Sequence, residues 1–360
     1  MVEEKVWQIA AGSRDRDYIK MFYDWGIATI GPGHLGKWDE REYKKAGDNV
    51  VNKNDINTLR RFAKEVKPGN YIILKIGKEV RAIGVVEEYK EGNAYFWKEN
   101  FKYVDGWELG HCIKVKWRKI KGLKLSRGLS IQKFRSYTAN QKDIDKIKRI
   151  IKSKKPINSK SLYKIENLKL PEKLLEGNYK RYLKPVFKNS GTTPEEFWKQ
   201  VSKLQKYVNE NELYNYSEEE VKIFLIIPIL NALGFCNKHI ALEHKHIDIL
   251  LSYEGFTKRD FNDKEKNKVK IIIESKRVNQ GILYANKQSE EYLKIFNGKN
   301  LKYRIVSNGL VSYIYDSNTK EGPKACLDIK NLWIKNLPYD DQIKGAVEFI
   351  RKLLLFRLRA

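Results

Sequence analysis

A polar stretch of forty residues, Ser153 to Thr192, divides the chain into two parts. It carries scattered Pro and Gly and no long apolar run, so it reads as a basic linker, residues 153–192, between a first domain at 1–152 and a second at 193–360. A chain of 360 residues also suits two domains at roughly 100–200 residues each. Its apolar fraction of 41% is enough to give each a core, which excludes wholesale disorder.

The first part reads as strands with helical insertions. Tyr71–Ile76 and Arg81–Val86 are β-rich runs split by Gly77-Lys78-Glu79, a hairpin pattern. Ile113–Trp117 alternates apolar and cationic residues, as a half-buried strand does. Asp55–Val66 has helical spacing and stops at Pro68-Gly69. In the second part, Thr193-Pro-Glu-Glu196 and Ser217-Glu-Glu-Glu220 are capping boxes that open two helices. Strands are expected at Ile247–Leu251, Val269–Glu274 and Arg304–Ser307, with a helix over 286–296 between the last two. A closing amphipathic helix is expected to carry Ile343, Val347, Ile350 and Leu354.

Charge narrows the function. Lys and Arg number 71 against 45 Asp and Glu, a net +26, which points to a polyanionic partner, nucleic acid before membrane. From Ile113 to Lys155 there are 16 cations and two acids, Asp143 and Asp145. Such a run can be a solvated face. Its interleaved Trp117, Phe134 and Tyr137 and its lack of acids favour phosphate contact, with Lys114, Lys116, Arg118, Lys119 and Arg127 as candidates.

Other classes fall away. The longest apolar stretch, Ile223–Leu230, is far short of the ~20 residues of a membrane span. The acidic start MVEEKVWQ is unlike a signal peptide. Cys112, Cys236 and Cys326 lie far apart, which excludes a disulfide framework and a thiolate zinc knot and suits a cytoplasmic, reducing compartment. No GxxxxGK[ST] is present, so no ATP-driven motor is expected.

The sharpest chemical signal follows Gly234. Asp248 sits in Ile-Asp-Ile-Leu-Leu, and 26 residues later comes Ile-Glu274-Ser-Lys276. Glu274 and Lys276 are two apart and share a strand face. Two converging carboxylates make a hard oxygen site suited to Mg²⁺, or Mn²⁺, that can activate water and neutralise a phosphate, while the ammonium positions or deprotonates that water. A surface salt bridge is the plainer alternative. His239, His244 and His246 lie nearby, but they lack the spacing of a zinc site and read as polar or phosphate-side contacts.

The order Glu218-x-x-Val221, Pro228-Ile-Leu-Asn-Ala-Leu-Gly234-Phe, Asp248, Ile-Glu274-Ser-Lys276, Gln288-x-x-x-Tyr292 and Val-Ser-Asn308-Gly309 resembles the PD-(D/E)xK nucleases. The version it is most like is the N-terminal nuclease of type I restriction motor subunits. The resemblance covers about Ser190 to Ala360 and implies that Asp248 and Glu274 bind the metal and that Lys276 serves the attacking water. It also implies that Gln288 and Tyr292 support the site and that an acid on the first helix completes it. Glu218 matches by its distance to Pro228, beside Glu219 and Glu220, the last of which suits a capping role. A charged insertion at Phe256–Val269 departs from the pattern.

The first part places Trp7, Tyr18, Tyr23, Trp25 and Trp38 around Gly31-Pro-Gly-His-Leu-Gly36. Core is the usual place for such aromatics. A glycine-rich loop beside Trp can also wall a pocket for a flat ring. The pattern Val-Trp7-Gln-Ile-Ala-Ala-Gly12, Ile27-Ala-Thr-Ile-Gly31-Pro-Gly, Val66-Lys-Pro-Gly69-Asn-Tyr-Ile, Ile83-Gly84-Val-Val and Val115-Lys-Trp117 is similar to the EVE branch of PUA-like β-barrels, over about Met1 to Lys152. That resemblance implies a pocket for a modified base flipped out of DNA, near Trp7, Ser13, Trp25 and Trp38; Pro32 stands where many relatives carry Trp.

The expected architecture is therefore an α+β, two-domain chain, with an EVE/PUA-like barrel joined to a PD-(D/E)xK αβ core. The expected function is a modification-dependent restriction endonuclease of type IV character, in a prokaryotic cytoplasm. Its partner would be double-stranded DNA carrying a modified base, with modified cytosine favoured over N6-methyladenine. Cutting both strands takes two active sites, so a homodimer on DNA is expected. An RNA-binding protein with an inactive nuclease domain, or a modification-independent DNA nuclease, fits the same residues.

Overall fold

The computed structural model describes all residues except 1–3, 14–15, 34, 46–52, 105–107, 131–132, 161, 189, 212, 245, 258–262, 279–281, 297–300, 320 and 358–360. The chain forms two compact units, Met1–Leu170 and Pro171–Ala360.

The strands of the first unit are β1 (Val6–Ala10), β2 (Gly12–Ser13), β3 (Arg16–Asp17), β4 (Ile27–Ile30), β5 (Tyr71–Ile76), β6 (Glu79–Val86), β7 (Tyr95–Trp97), β8 (His111–Lys119) and β9 (Phe134–Ser136). Its helices are α1 (Ile19–Trp25), α2 (Glu40–Lys45), α3 (Lys53–Arg60), α4 (Gln141–Ser153) and α5 (Leu162–Glu166). One sheet runs β4-β8-β6-β5-β1-β9, with β7 also on β8. The expected hairpin is β5–β6. Strand β1 pairs in parallel with β5, and β9 closes antiparallel on its other side. Helix α3 continues as a π turn, Arg61–Glu65, which buries Leu59 and Phe62 and ends before Pro68. Helix α4 lays Ile144, Ile147, Ile150 and Ile151 on Val6, Ile73 and Ile83 of the sheet.

Residues 153–192 are not a linker. Ile157 N–H donates to the Trp117 carbonyl at 2.8 Å, and Ile165 of α5 is buried. Further on, Tyr179, Leu183 and Phe187 recur every fourth position and form the buried stripe of α6 (Tyr179–Phe187). Tyr179 stacks on Trp198 at 4.8 Å. The high Lys content of the stretch, spread over the exposed positions, conceals that stripe. The units part at Leu170/Pro171, inside the expected linker.

The other helices of the second unit are α7 (Pro194–Glu210), α8 (Glu218–Val221), α9 (Ile227–Ala232), α10 (Asp263–Lys268), α11 (Ile282–Glu291) and α12 (Ala346–Arg357). Its strands are β10 (Ile240–His244), β11 (Ile247–Leu251), β12 (Ile271–Ser275), β13 (Tyr303–Ser307), β14 (Val311–Asp316), β15 (Ala325–Asp328), β16 (Asn336–Leu337) and β17 (Asp340–Lys344). Both capping boxes are formed, Thr193 with Glu196 and Ser217 with Glu220. The eight strands follow the order β10-β11-β12-β13-β14-β15-β17-β16. Strands β12 and β13 are parallel, joined through α11, which packs on both. Ile343 belongs to β17, and the closing helix begins after it at Ala346.

Between α8 and α9 the helix takes a π turn, Lys222–Ile226. It lies close against the β13–β14 turn. A Cβ at Gly309, whose φ is +82°, would fall 2.5 Å from Leu225 Cδ1. That contact fixes the helix carrying Glu218 and Lys222 against the sheet that carries Asp248 and Glu274.

Candidate active site

Asp248 and Glu274 come from the adjacent antiparallel strands β11 and β12, and both are buried. Asp248 is held on every side. Its Oδ2 accepts from Ser275 N–H at 2.6 Å and from Ser275 Oγ at 2.9 Å, and its Oδ1 lies 3.3 Å from Lys222 Nζ. Glu274, only 2% exposed, accepts from Lys276 Nζ at 2.8 Å through Oε1. Its Oε2 is buried with no hydrogen-bond partner among the described residues. Burial, reinforced by the charge of Asp248 and opposed by Lys276, raises the Glu274 carboxyl from 4.5 to about 7.

The three glutamates of α8 separate by role. Glu220 folds back onto Ser217 N–H at 2.7 Å, the capping role. Glu219 is exposed, 3.8 Å from Lys222. Glu218 faces Lys276 at 3.8 Å. Burial disfavours the charge on Lys276, but the Glu274 hydrogen bond and the charges of Glu274, Glu218 and Asp248 outweigh it and raise its pKa. The ammonium therefore stays protonated at neutral pH and acts as a donor. Gln288 Nε2 donates to Tyr292 Oη at 2.8 Å, and Tyr292 Oη donates to the His246 carbonyl at 2.7 Å. This pair supports the turn into β11 from behind.

Sequence reasoning missed Lys222 and Glu243. Lys222 is 5% exposed and pairs with Asp248 and Glu243 at once. The π turn begins at Lys222, and such turns recur at functional sites. Glu243 and His246 both take positive φ, 52° and 69°, around the β10–β11 turn. A lysine inside the apolar run 221–233 was the available signal. His239 Nδ1 accepts from Cys236 N–H at 3.0 Å and caps its own turn. Among the described residues no three His, Cys, Asp or Glu side chains cluster to hold a metal.

That last fact bears on Mg²⁺. The ion keeps several waters and is held by one or two carboxylates together with substrate phosphates, without a dedicated protein cage. Two adjacent buried carboxylates, one with an orphaned oxygen, fit that requirement; a zinc or calcium cage would need more ligands.

In the first unit the structure does not gather the expected base-pocket residues. Trp7 is core, stacked on Phe134 at 5.1 Å with its Nε1 donating to Asn70. Trp25 is core against Phe101 at 5.7 Å, covered by Lys160 Nζ. Both indoles are buried. The side chain of Ser13 lies outside the described residues. Trp38 alone joins an aromatic group, with Tyr43 at 5.0 Å. Tyr43 and Tyr95 hydroxyls bond the two ring nitrogens of buried His111, and Trp97 meets its edge. These partners are strewn from 38 to 111 and had no local signature. The glycines here serve packing: a Cβ at Gly110 would lie 2.5 Å from the Trp97 ring. A cleft of about 480 Å³ opens beside Ile30 and Gly31, lined by Asn54, Asn57, Thr58, Arg61 and Phe134.

The basic strip divides likewise. Lys114 and Lys116 face Glu87 at 3.5 and 3.8 Å. Arg118 is not a phosphate contact: it is buried, and its guanidinium donates to the Lys154 and Lys116 carbonyls, tying the segment after α4 to β8. Lys119 and Arg127 are exposed. No helix among the described residues is long and apolar enough to cross a membrane. Residues 7–148 match the model of a family described as a domain of unknown function, DUF8426. No curated protein matches the chain.

Proposed function

We propose that the protein is a Mg²⁺-dependent DNA endonuclease of the PD-(D/E)xK type, directed by an EVE/PUA-like first unit to DNA bearing a modified base. The observation that carries the nuclease reading is the buried Asp248–Glu274 pair, with its orphaned Glu274 oxygen beside Lys276. Support comes from the element order: a helix, three antiparallel strands β10–β12, a crossover helix and a parallel strand β13. The half-barrel curl of the first sheet and the 480 Å³ cleft with its amide, hydroxyl and aromatic lining support the reader.

Asp248 and Glu274 would hold Mg²⁺, whose charge lowers the pKa of a bound water and neutralises the phosphate. Lys276, charged and held by Glu274, donates to the attacking water or to the developing phosphorane oxygens. Glu218, facing that ammonium, keeps it oriented. Lys222 pairs with the Asp248 carboxylate, while Ser275 sets its rotamer. Gln288 and Tyr292 brace the β11 turn, and the Tyr292 hydroxyl also acts on the Glu274 carboxyl. In the first unit, flipping a base costs a few kcal/mol, which stacking and pocket hydrogen bonds must offset.

Incubation of the protein with supercoiled plasmid carrying modified cytosine tests the reaction. Nicked and linear DNA are expected with Mg²⁺ and none with EDTA, while single-stranded RNA stays intact. Cutting in EDTA, or degradation of RNA alone, contradicts the reading.

A further inference from the structure

The connection from β8 to β9 builds a second feature of the first unit. Residues 124–130 are pinned from below by buried polar groups. Ser126 N–H and Oγ and Tyr137 Oη all donate to Asp143, which is 0% exposed. Arg127 N–H donates to Tyr137 Oη at 3.2 Å, and Ser130 N–H donates to Gln8 Oε1 at 3.0 Å. The strip's one buried acid is thus spent on holding this loop and pairs with no lysine or arginine within 4 Å.

Above that frame lies a cleft of about 730 Å³. Its lining includes Lys78, Lys124, Arg127 and Arg135 and no Asp or Glu. The four cations arrive by three routes. Lys78 sits at the tip of the β5–β6 hairpin, Arg135 stands on β9 opposite Gln8 of β1, and Lys124 and Arg127 ride the pinned loop. All four are exposed, and none is in an ion pair among the described residues. Lys114, Lys116 and Lys148, by contrast, each face a glutamate. Four like charges in one concavity repel one another, and low-dielectric walls focus their field outward. A cleft carrying four cations and, among the described residues, no acid suits a run of phosphates.

We infer that this cleft, and not the face of β8, holds the phosphodiester backbone of double-stranded DNA. The choice of DNA over RNA rests on the function proposed above; the cleft and its charge do not. Lys78, Lys124, Arg127 and Arg135 contact successive phosphates without reading sequence.

The test is fluorescence anisotropy of a labelled duplex with the full chain, without Mg²⁺, between about 50 and 200 mM salt. The variant Lys78→Ala/Lys124→Ala/Arg127→Ala/Arg135→Ala removes side chains that make no hydrogen bond or ion pair among the described residues, and its thermal transition controls for folding. Its log–log salt slope is expected to fall by about 3 to 4, and its affinity near 0.1 M salt by about 10³-fold. Lys114→Ala/Lys116→Ala is expected to change the slope by less than about 1. An unchanged slope in the fourfold variant overturns the assignment, as does a wild type with no salt-dependent binding. Tighter binding of duplex RNA, lost in the same variant, overturns the choice of DNA. Binding is read without cleavage, so a protein that holds DNA through the cleft and never cuts it sinks the nuclease alone.

Discussion

Glu274→Gln is expected to abolish the proposed Mg²⁺-dependent DNA cleavage, by about 10³-fold or more, in a protein that remains folded. The size follows from losing an anionic ligand whose electrostatic contribution to the transition state is roughly 4 kcal/mol or greater. Gln keeps the shape of the side chain and an oxygen for Lys276. The same variant carries a stability signature. In the native, metal-free protein the Glu274 carboxyl is raised from 4.5 to about 7. Its contribution to stability is therefore fully present below pH 4.5 and is lost as pH rises through about 7, an amount of about 3 kcal/mol. Denaturant titrations from pH 4.5 to 8 in EDTA are expected to show this decline in the wild type and not in Glu274→Gln. A variant that cuts DNA normally removes Glu274 from the site. Parallel pH profiles for the two proteins contradict the assigned burial.

Asp248→Ala costs about 3 to 5 kcal/mol of stability, while Asp248→Asn costs about 1 to 2. Alanine strips the acceptor from Ser275 N–H and Oγ and leaves buried Lys222 with only Glu243 and Glu219, both exposed. Asparagine still offers an oxygen to the Ser275 backbone. For a unit of this size the alanine variant's transition is expected to fall by about 10 °C in calorimetry. Adding Lys222→Met to Asp248→Ala is expected to recover part of that loss, because the stranded charge goes with it. Equal melting of the Ala and Asn variants, or a double variant worse than the single, contradicts the Lys222–Asp248–Ser275 network. Both Asp248 variants are expected to be inactive, so stability and activity separate the structural role from the chemical one.

What the sequence made legible was what local patterns encode. The capping boxes at Thr193 and Ser217 announce their helices by four residues each, and the β5–β6 hairpin by its central turn. Asp248, Glu274 and Lys276 were readable because strand alternation alone places Glu274 and Lys276 together. What escaped depends on distant partners. Lys222 looks like an interruption of an apolar helix until the π turn and β11 bring it to Asp248. Arg118 reads as a phosphate contact until residue 154 returns to claim its guanidinium. Trp7 and Trp25 read as pocket walls because an indole looks the same in a core as in a cage. The α6 stripe was masked by composition, since the lysines that suggest a linker occupy only its solvent side.

The proposed function couples a reader to a nuclease. Its most direct test is initial cleavage rate, with Mg²⁺, on matched duplexes that are unmodified, cytosine-modified or N6-methylated at adenine, using Glu274→Gln as the blank. Cutting is expected to be concentrated on one modified duplex, cytosine-modified before adenine-methylated, with none by Glu274→Gln. Equal rates on all three duplexes would contradict a modified-base reader, and equal rates with and without Glu274 would contradict the nuclease site itself.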